Sequence, residues 1–169
     1  MKRRLISLLL AAVTVLTLLP SGAFAADTAD SFRDVKQGDW CYDAVQYVCA
    51  NGFFNGTSRT AFSPNDTMTR GMFVTVLGRI AGVDTAQYQG RSNFIDVPED
   101  AYFAPYVAWA SRHGITAGTG EGRFSPYAYI NRQQMASFFL RYFEAFGVDY
   151  GTGADIAAAP ADIDSVSPY

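Results

Sequence analysis

Apolar residues recur at helical spacing in four segments of the chain, and segments rich in glycine, proline and polar residues separate them. Glycine commonly follows the last turn of a helix, and Gly52 and Gly114 follow the first and third segments. The apolar stripes comprise Trp40, Ala44, Val45 and Val48; Phe73, Val76, Leu77 and Ile80; Tyr102, Tyr106, Val107 and Ala110; and Met135, Phe138, Phe139 and Tyr142. Such stripes are the packing faces of amphipathic helices. The pattern predicts four helices arranged as two pairs.

The two helix pairs are copies of one sequence. Residues 32–79 align without a gap to residues 94–141, each residue matching the one 62 positions later, and twelve of these 48 positions are identical. The identical residues include a Phe-x-Asp-Val opening, a Gly-Thr pair, the tripeptide Phe-Ser-Pro and two arginines. One pair of helices cannot bury its own stripes, so such repeats pack on one another. We therefore expect an all-α fold of helix–loop–helix units.

The N-terminus has the pattern of a secretory signal peptide. A basic start precedes the apolar run Leu5–Leu19, and Ala23-Phe24-Ala25 resembles a cleavage site. The run is shorter than the roughly 18 residues of a membrane-spanning helix. The sequence predicts removal of residues 1–25 and a mature chain without a membrane segment, the alternative being a buried N-terminal helix.

Charge and cysteine content narrow the function further. The whole chain has a net charge of −3, and loss of the basic leader makes the mature chain more acidic. A general nucleic-acid binder needs a basic surface, so nucleic acid is not an expected partner. Cys41 and Cys49 lie on a predicted helix, too far apart for a disulfide with each other. They are expected to be small, mostly buried residues, the alternative being a reactive or intermolecular thiol.

The second helix of each repeat begins with an arginine. Thr69 and Asn131 are predicted N-caps, followed by Arg70 and Arg132, and Gln134 is placed to complete a capping box. A cation near a helix N-terminus is disfavoured, so its occurrence in both repeats needs a reason.

Two explanations of these arginines remain open. The helix-start N–H groups and the guanidinium can together bind an anion such as a carboxylate. Alternatively, Arg70 and Arg132 each pair with an aspartate of a neighbouring repeat, such as Asp34 or Asp96.

These motifs together resemble the S-layer homology (SLH) repeat. The first copy carries Phe32-x-Asp34-Val35 with Trp40, then Gly52-Phe53-Phe54-x-Gly56-Thr57, Phe62-Ser63-Pro64 and Met68-Thr69-Arg70; the second carries Phe94, Asp96, Val97, Tyr102, Gly114, Ile115, Gly118, Thr119, Phe124-Ser125-Pro126, Ile130 and Arg132. The resemblance implies three repeats packed as a pseudo-threefold bundle. It also implies binding to a bacterial secondary cell-wall polysaccharide, often pyruvylated, or to a peptidoglycan-linked polymer.

The resemblance also implies a set of ligand-binding residues. Arginines at the helix starts would meet the acidic sugar, while aromatic residues and glycine turns shape the groove. The predicted residues are Arg70, Arg132, Thr69, Asn131, Asp34, Asp96, Trp40, Tyr102, Gly56 and Gly118. The family commonly continues Ala-Glu after the arginine, whereas this chain has Gly71-Met72 and Gln133-Gln134.

The repeats divide the chain into predicted segments. These are a signal peptide (1–25), a short leader (26–31), repeat 1 (32–85), a connector (86–93), repeat 2 (94–149), a second connector (150–160) and the start of a truncated repeat 3 (161–169). Self-association is one way to complete the third repeat.

The sequence offers no constellation for catalysis. His113 is the single histidine, and metal-ligand and nucleophile motifs are not found, so no enzyme, cofactor or metal site is predicted. We expect a secreted protein of the bacterial cell wall or S-layer, anchored non-covalently through its repeats. The alternatives are a structural assembly protein acting through repeat–repeat contacts and the anchor fragment of a larger wall enzyme.

Overall fold

A computed structural model describes residues 28–90 and 92–149, so the predicted signal peptide and third repeat lie outside the described residues. The described chain forms helices α1 (Tyr42–Ala50), α2 (Arg70–Ile80), α3 (Ala104–Arg112) and α4 (Arg132–Phe146), with short 3-10 helices at Ala29–Ser31 and Thr85–Tyr88. Extended pairing in these residues is limited to isolated bridges. The predicted all-α class is confirmed, while the pseudo-threefold arrangement stays a prediction.

The described residues divide into two compact units, 28–62 in the first and 63–90 with 92–149 in the second. The core of the first unit consists of Ala29, Phe32, Val35, Val45 and Cys49. The core of the second unit consists of Phe73, Val74, Leu77, Val97, Phe103, Ala104, Val107, Trp109, Ala110, Ile115, Phe124, Ile130 and Phe138. The boundary falls inside predicted repeat 1 because α2, the second helix of that repeat, packs against α3 of repeat 2.

The aromatic residue at the start of each first helix lies outside the apolar stripe. Trp40 is 97% exposed, and α1 begins only at Tyr42, whose N–H donates to the carbonyl of Asp39 in the preceding turn. Tyr102 is likewise 59% exposed and precedes α3. The residue buried at this point is Phe103, one position later, so the predicted helical placement of Trp40 and Tyr102 is wrong.

The cysteines are present as thiols. Cys49 is buried in α1, and Cys41 is half-buried at the N-cap of the same helix. The helix holds the two residues apart along its axis.

Candidate functional site

The start of α2 is bound by the Phe-Ser-Pro turn of the second repeat. Thr69 caps the helix and accepts a hydrogen bond from the N–H of Met72 at 3.2 Å. The N–H groups of Arg70 and Gly71 donate to carbonyl oxygens in the segment 126–128, each at 2.9 Å. All three helix-start donors therefore have partners within the chain, so an anion bound at the start of α2 would have to displace one of these hydrogen bonds.

The side chain of Arg70 is buried in the second unit. Its Nε–H donates to the carbonyl oxygen of Phe124 at 2.9 Å, and only 4% of the residue is exposed. The guanidinium carbon lies 4.8 Å from the centroid of the Phe124 ring and 5.4 Å from that of Phe138. Aromatic faces attract cations, more strongly when water is excluded. These contacts hold the guanidinium in one orientation.

Arg70 lines a groove of about 430 Å³, here called the Arg70–Arg141 groove. From α4 the groove receives Gln134, Ser137 and Arg141, which lie three or four positions apart and so share one helix face. The remaining lining residues are Thr116, Ala117, Gly118, Thr119 and Phe138. The groove therefore combines two guanidinium groups with hydroxyl and amide groups.

Gly118, a predicted site residue, forms part of this groove. Its φ is +85°, and a Cβ there would overlap the carbonyl oxygen of Arg123 and lie 2.6 Å from Cε1 of Phe94. Gly56 repeats this packing in the first unit, where a Cβ would overlap the Phe32 ring. Both glycines are required by close approach of the chain, and the one in the second unit also by its backbone conformation.

The two predicted aspartates hold the Phe-Ser-Pro turns. Asp96 accepts hydrogen bonds from the N–H groups of Phe124 and Ser125, both at 2.8 Å. Asp34 accepts one from the N–H of Phe62 at 2.9 Å. The geometry gives each carboxylate a structural role, and contact with a ligand stays a prediction for both.

The start of α4 has the predicted capping box. The side chain of Asn131 accepts from the N–H of Gln134 at 2.9 Å, and the N–H of Asn131 donates to Gln134 Oε1 at 3.3 Å. Arg132 is the first residue of α4, as predicted, and is exposed. It does not line the Arg70–Arg141 groove, so the two predicted arginines are not brought together there.

Tyr102 lines a second, smaller cavity of about 300 Å³. Arg79, the repeat equivalent of Arg141, lies in its wall, together with Thr85, Gln89, Glu99, Asp100, Ala101, Pro105 and Tyr106. Partial burial raises the pKa of Tyr102; nearby Arg79 opposes the shift and Tyr127 adds to it. The phenol is thus a neutral hydrogen-bond donor at neutral pH.

Sequence reasoning missed Arg141 as a site residue. The signal was present, because Arg79 and Arg141 are identical in the two repeats. The spacing of Gln134, Ser137 and Arg141 on one helix face could also have identified the α4 wall of the groove.

His113, the residue that could support catalysis or metal binding, contacts aromatic residues. The Nε2 of His113 lies 3.2 Å from the hydroxyl of Tyr88, and the imidazole ring contacts Trp109 and Phe146. Within residues 28–90 and 92–149, no three metal-ligating side chains cluster. Over the same ranges, every helix is too short or too polar to cross a bilayer.

Comparisons with known proteins agree with the repeat pattern. The family model of the S-layer homology domain matches residues 31–71 and 93–136. The chain is 31% identical over 149 residues to an endoglucanase of Bacillus sp. (strain KSM-635), covering 82% of this chain and 15% of the relative. It is 26% identical over 142 residues to an S-layer protein of Bacillus thuringiensis subsp. finitimus, covering 84% and 17%.

A third relative is an endo-1,4-beta-xylanase A of Thermoanaerobacterium saccharolyticum. It is 31% identical over 121 residues, which cover 72% of this chain and 10% of the relative. The chain thus spans less than a fifth of the length of each of these three relatives.

Proposed function

Because the chain belongs to the S-layer homology domain family, we propose that it anchors an exported protein non-covalently to a bacterial cell wall. The proposed ligand is an acidic secondary wall polysaccharide, and the proposed site is the Arg70–Arg141 groove. Binding, rather than catalysis, is the proposed activity of the whole protein.

The juxtaposition of Arg70 and Arg141 in one groove carries this proposal. A guanidinium can grip a carboxylate with two parallel hydrogen bonds, and its planar fork is a better match than an ammonium group. Because Arg70 is already oriented by Phe124 and Phe138, little side-chain entropy remains to be lost when a ligand binds. Two cations in one groove favour a sugar that carries an acidic substituent.

The other lining groups suit the neutral part of a saccharide. Thr116, Thr119, Ser137 and Gln134 offer hydroxyl and amide groups that can exchange hydrogen bonds with sugar hydroxyls. A volume of about 430 Å³ falls within the usual range of small-molecule sites, about 300–1,000 Å³. We therefore propose that the groove holds a short segment of the polymer.

Of the ten residues predicted as ligand-binding, Arg70 and Gly118 line the proposed groove. Ligand contact by the other eight stays a prediction. The proposed cargo is a longer exported protein, since the curated relatives described above extend far beyond the matched region.

The first experiment tests the polymer. Purified bacterial walls are incubated with the chain before and after chemical removal of the secondary polymer, and the retained protein is measured. We expect retention to fall strongly when the polymer is removed. Equal retention on both wall preparations would contradict the proposal.

The second experiment tests the groove with Arg141→Ala. Arg141 is half-buried on α4, so its truncation should remove a ligand contact without opening the core. We expect wall affinity to fall by about tenfold or more, the effect of losing about 1.4 kcal/mol. Arg112→Ala is the matched control, because Arg112 is an exposed arginine in the last turn of α3. Unchanged affinity of Arg141→Ala would exclude this groove.

A further inference from the structure

The second unit contains one complete interface between consecutive repeats. The start of α2 binds the turn at 126–128, and the body of α2 packs against α3. Close approach is allowed by two glycines of α2: Gly71 faces Phe103, and Gly78 faces the ring of Tyr106, which a Cβ would overlap.

Because the sequence repeats, each of the two surfaces that form this interface has a counterpart elsewhere in the chain. The counterpart of the α2 surface lies on α4. The α4 half consists of Arg132, Gln133, Ala136 and Leu140, which correspond to Arg70, Gly71, Val74 and Gly78. Arg70 is 4% exposed and Val74 is fully buried, whereas Arg132 and Ala136 are exposed and Leu140 is 45% exposed. We call these four residues of α4 the outer face.

The counterpart of the second surface, which α3 and the Phe-Ser-Pro turn form in the second unit, lies in the first unit. Cys41 and Ala44 correspond to Phe103 and Tyr106, and Phe62 corresponds to Phe124, which accepts the hydrogen bond of Arg70. Ala44 is exposed and Cys41 is half-buried. In the second unit, α3 and the Phe-Ser-Pro turn cover α2. Among the described residues, the first unit is the only other segment with that sequence pattern.

The side-chain sizes of the two halves are complementary. In the interface of the second unit, α2 contributes the small residue and its partner the large one, as in Gly78 with Tyr106. At the corresponding positions the large residue is on α4 and the small one is in the first unit, because Leu140 would face Ala44. The second pair behaves in the same way, with Gln133 and Cys41 replacing Gly71 and Phe103. Exchanges that conserve volume keep packing favourable.

We propose that the outer face of α4 binds the first unit of a second copy of this chain. The contact reproduces the α2–α3 interface, with Leu140 against Ala44 and Arg132 directed to Phe62. It joins different surfaces of the two copies, so it is heterologous and leaves an outer face and a first unit available at the two ends. The expected products are head-to-tail oligomers whose population rises with concentration.

Sedimentation and light scattering of the purified, exported chain test this proposal. We expect the mean mass to rise with protein concentration by mass action. Ala44→Tyr should block the first unit, and Leu140→Glu should block the outer face, so each variant alone should remain a monomer. Ala50→Tyr, at an exposed alanine of α1 outside the proposed contact, and Ile95→Glu, at a residue that is 74% exposed, are controls that should associate like the wild type.

Mixing the two blocked variants identifies the contact. Leu140→Glu retains an intact first unit and Ala44→Tyr retains an intact outer face, so the mixture should form a one-to-one dimer and nothing larger. Circular dichroism checks that each variant is folded, and either variant alone suffices if the other does not fold. A wild-type chain that stays monomeric, variants that associate like the wild type, or a mixture that stays monomeric would each overturn the proposal.

Discussion

At the scale of single residues, Arg70 serves both the fold and the proposed site. Its guanidinium is hydrogen-bonded to Phe124 and lies against two rings. We expect Arg70→Ala to lower the free energy of unfolding by about 2–4 kcal/mol, because a charge-assisted hydrogen bond and a desolvated cation–π contact are lost together. Urea unfolding measures this, with Arg112→Ala as control. An unchanged midpoint would show that the buried contacts contribute little.

Asp96 offers a second test at this scale. Asp96→Ala leaves the N–H groups of Phe124 and Ser125 without their acceptor, and each unsatisfied buried donor costs about 1–3 kcal/mol. We expect a clear loss of thermal stability, with Asp96→Asn intermediate because it keeps one acceptor oxygen. The exposed Asp100→Ala should unfold like the wild type. If Asp96→Ala also unfolds like the wild type, the carboxylate does not hold the turn.

The sequence could predict residue roles that depend on the local backbone. Thr69 and Asn131 cap their helices as expected, because an N-cap is decided by its own first turn. The partner of Arg70 could not be predicted in this way, since Phe124 lies 54 positions away. The identity of Arg79 and Arg141 marks Arg141 in the sequence, but its place in one groove with Arg70 could not be predicted, because only the fold brings α4 beside the start of α2.

At the scale of elements, the two second helices begin with caps of different completeness. Asn131 and Gln134 form both bonds of a capping box in α4, whereas in α2 Met72 has no side-chain oxygen to return the bond to Thr69. We expect Asn131→Ala to reduce stability by about 1 kcal/mol, measured by chemical denaturation. Glu144→Ala, at an exposed position further along α4, is the control. Equal stability of Asn131→Ala and wild type would mean that the box adds nothing.

The starts of the first helices were the least predictable elements. Trp40 and Tyr102 fit the apolar period, yet each helix begins two residues later. A period describes which positions share a face, but the turn before a helix is set by its own hydrogen bonds, as at Asp39 and Tyr42. The aromatic residues thereby become exposed.

At the scale of the whole chain, the sequence repeat and the compact units are different divisions. The repeat recurs every 62 residues and contains a helix pair, whereas the unit boundary separates α1 from α2. Helices of consecutive repeats pack together in the second unit, so one repeat is not one folding core. This interleaving is the expected behaviour of repeats that cannot bury their own stripes.

Hydrogen exchange should distinguish the two units. Among the described residues, the core of the first unit has five buried residues and that of the second has thirteen, and local stability follows the number of buried apolar contacts. We expect amides of α1 to exchange faster than those of α3 in dilute solution, as measured on peptides by mass spectrometry.

The same measurement tests the proposed contact between copies. Raising the protein concentration should slow exchange in α1 and α4 together, because the proposed contact covers both, while α3 serves as the internal control. Equal exchange of α1 and α3 in dilute solution would show that the smaller core is no less stable, and protection of α1 without α4 would contradict the head-to-tail contact.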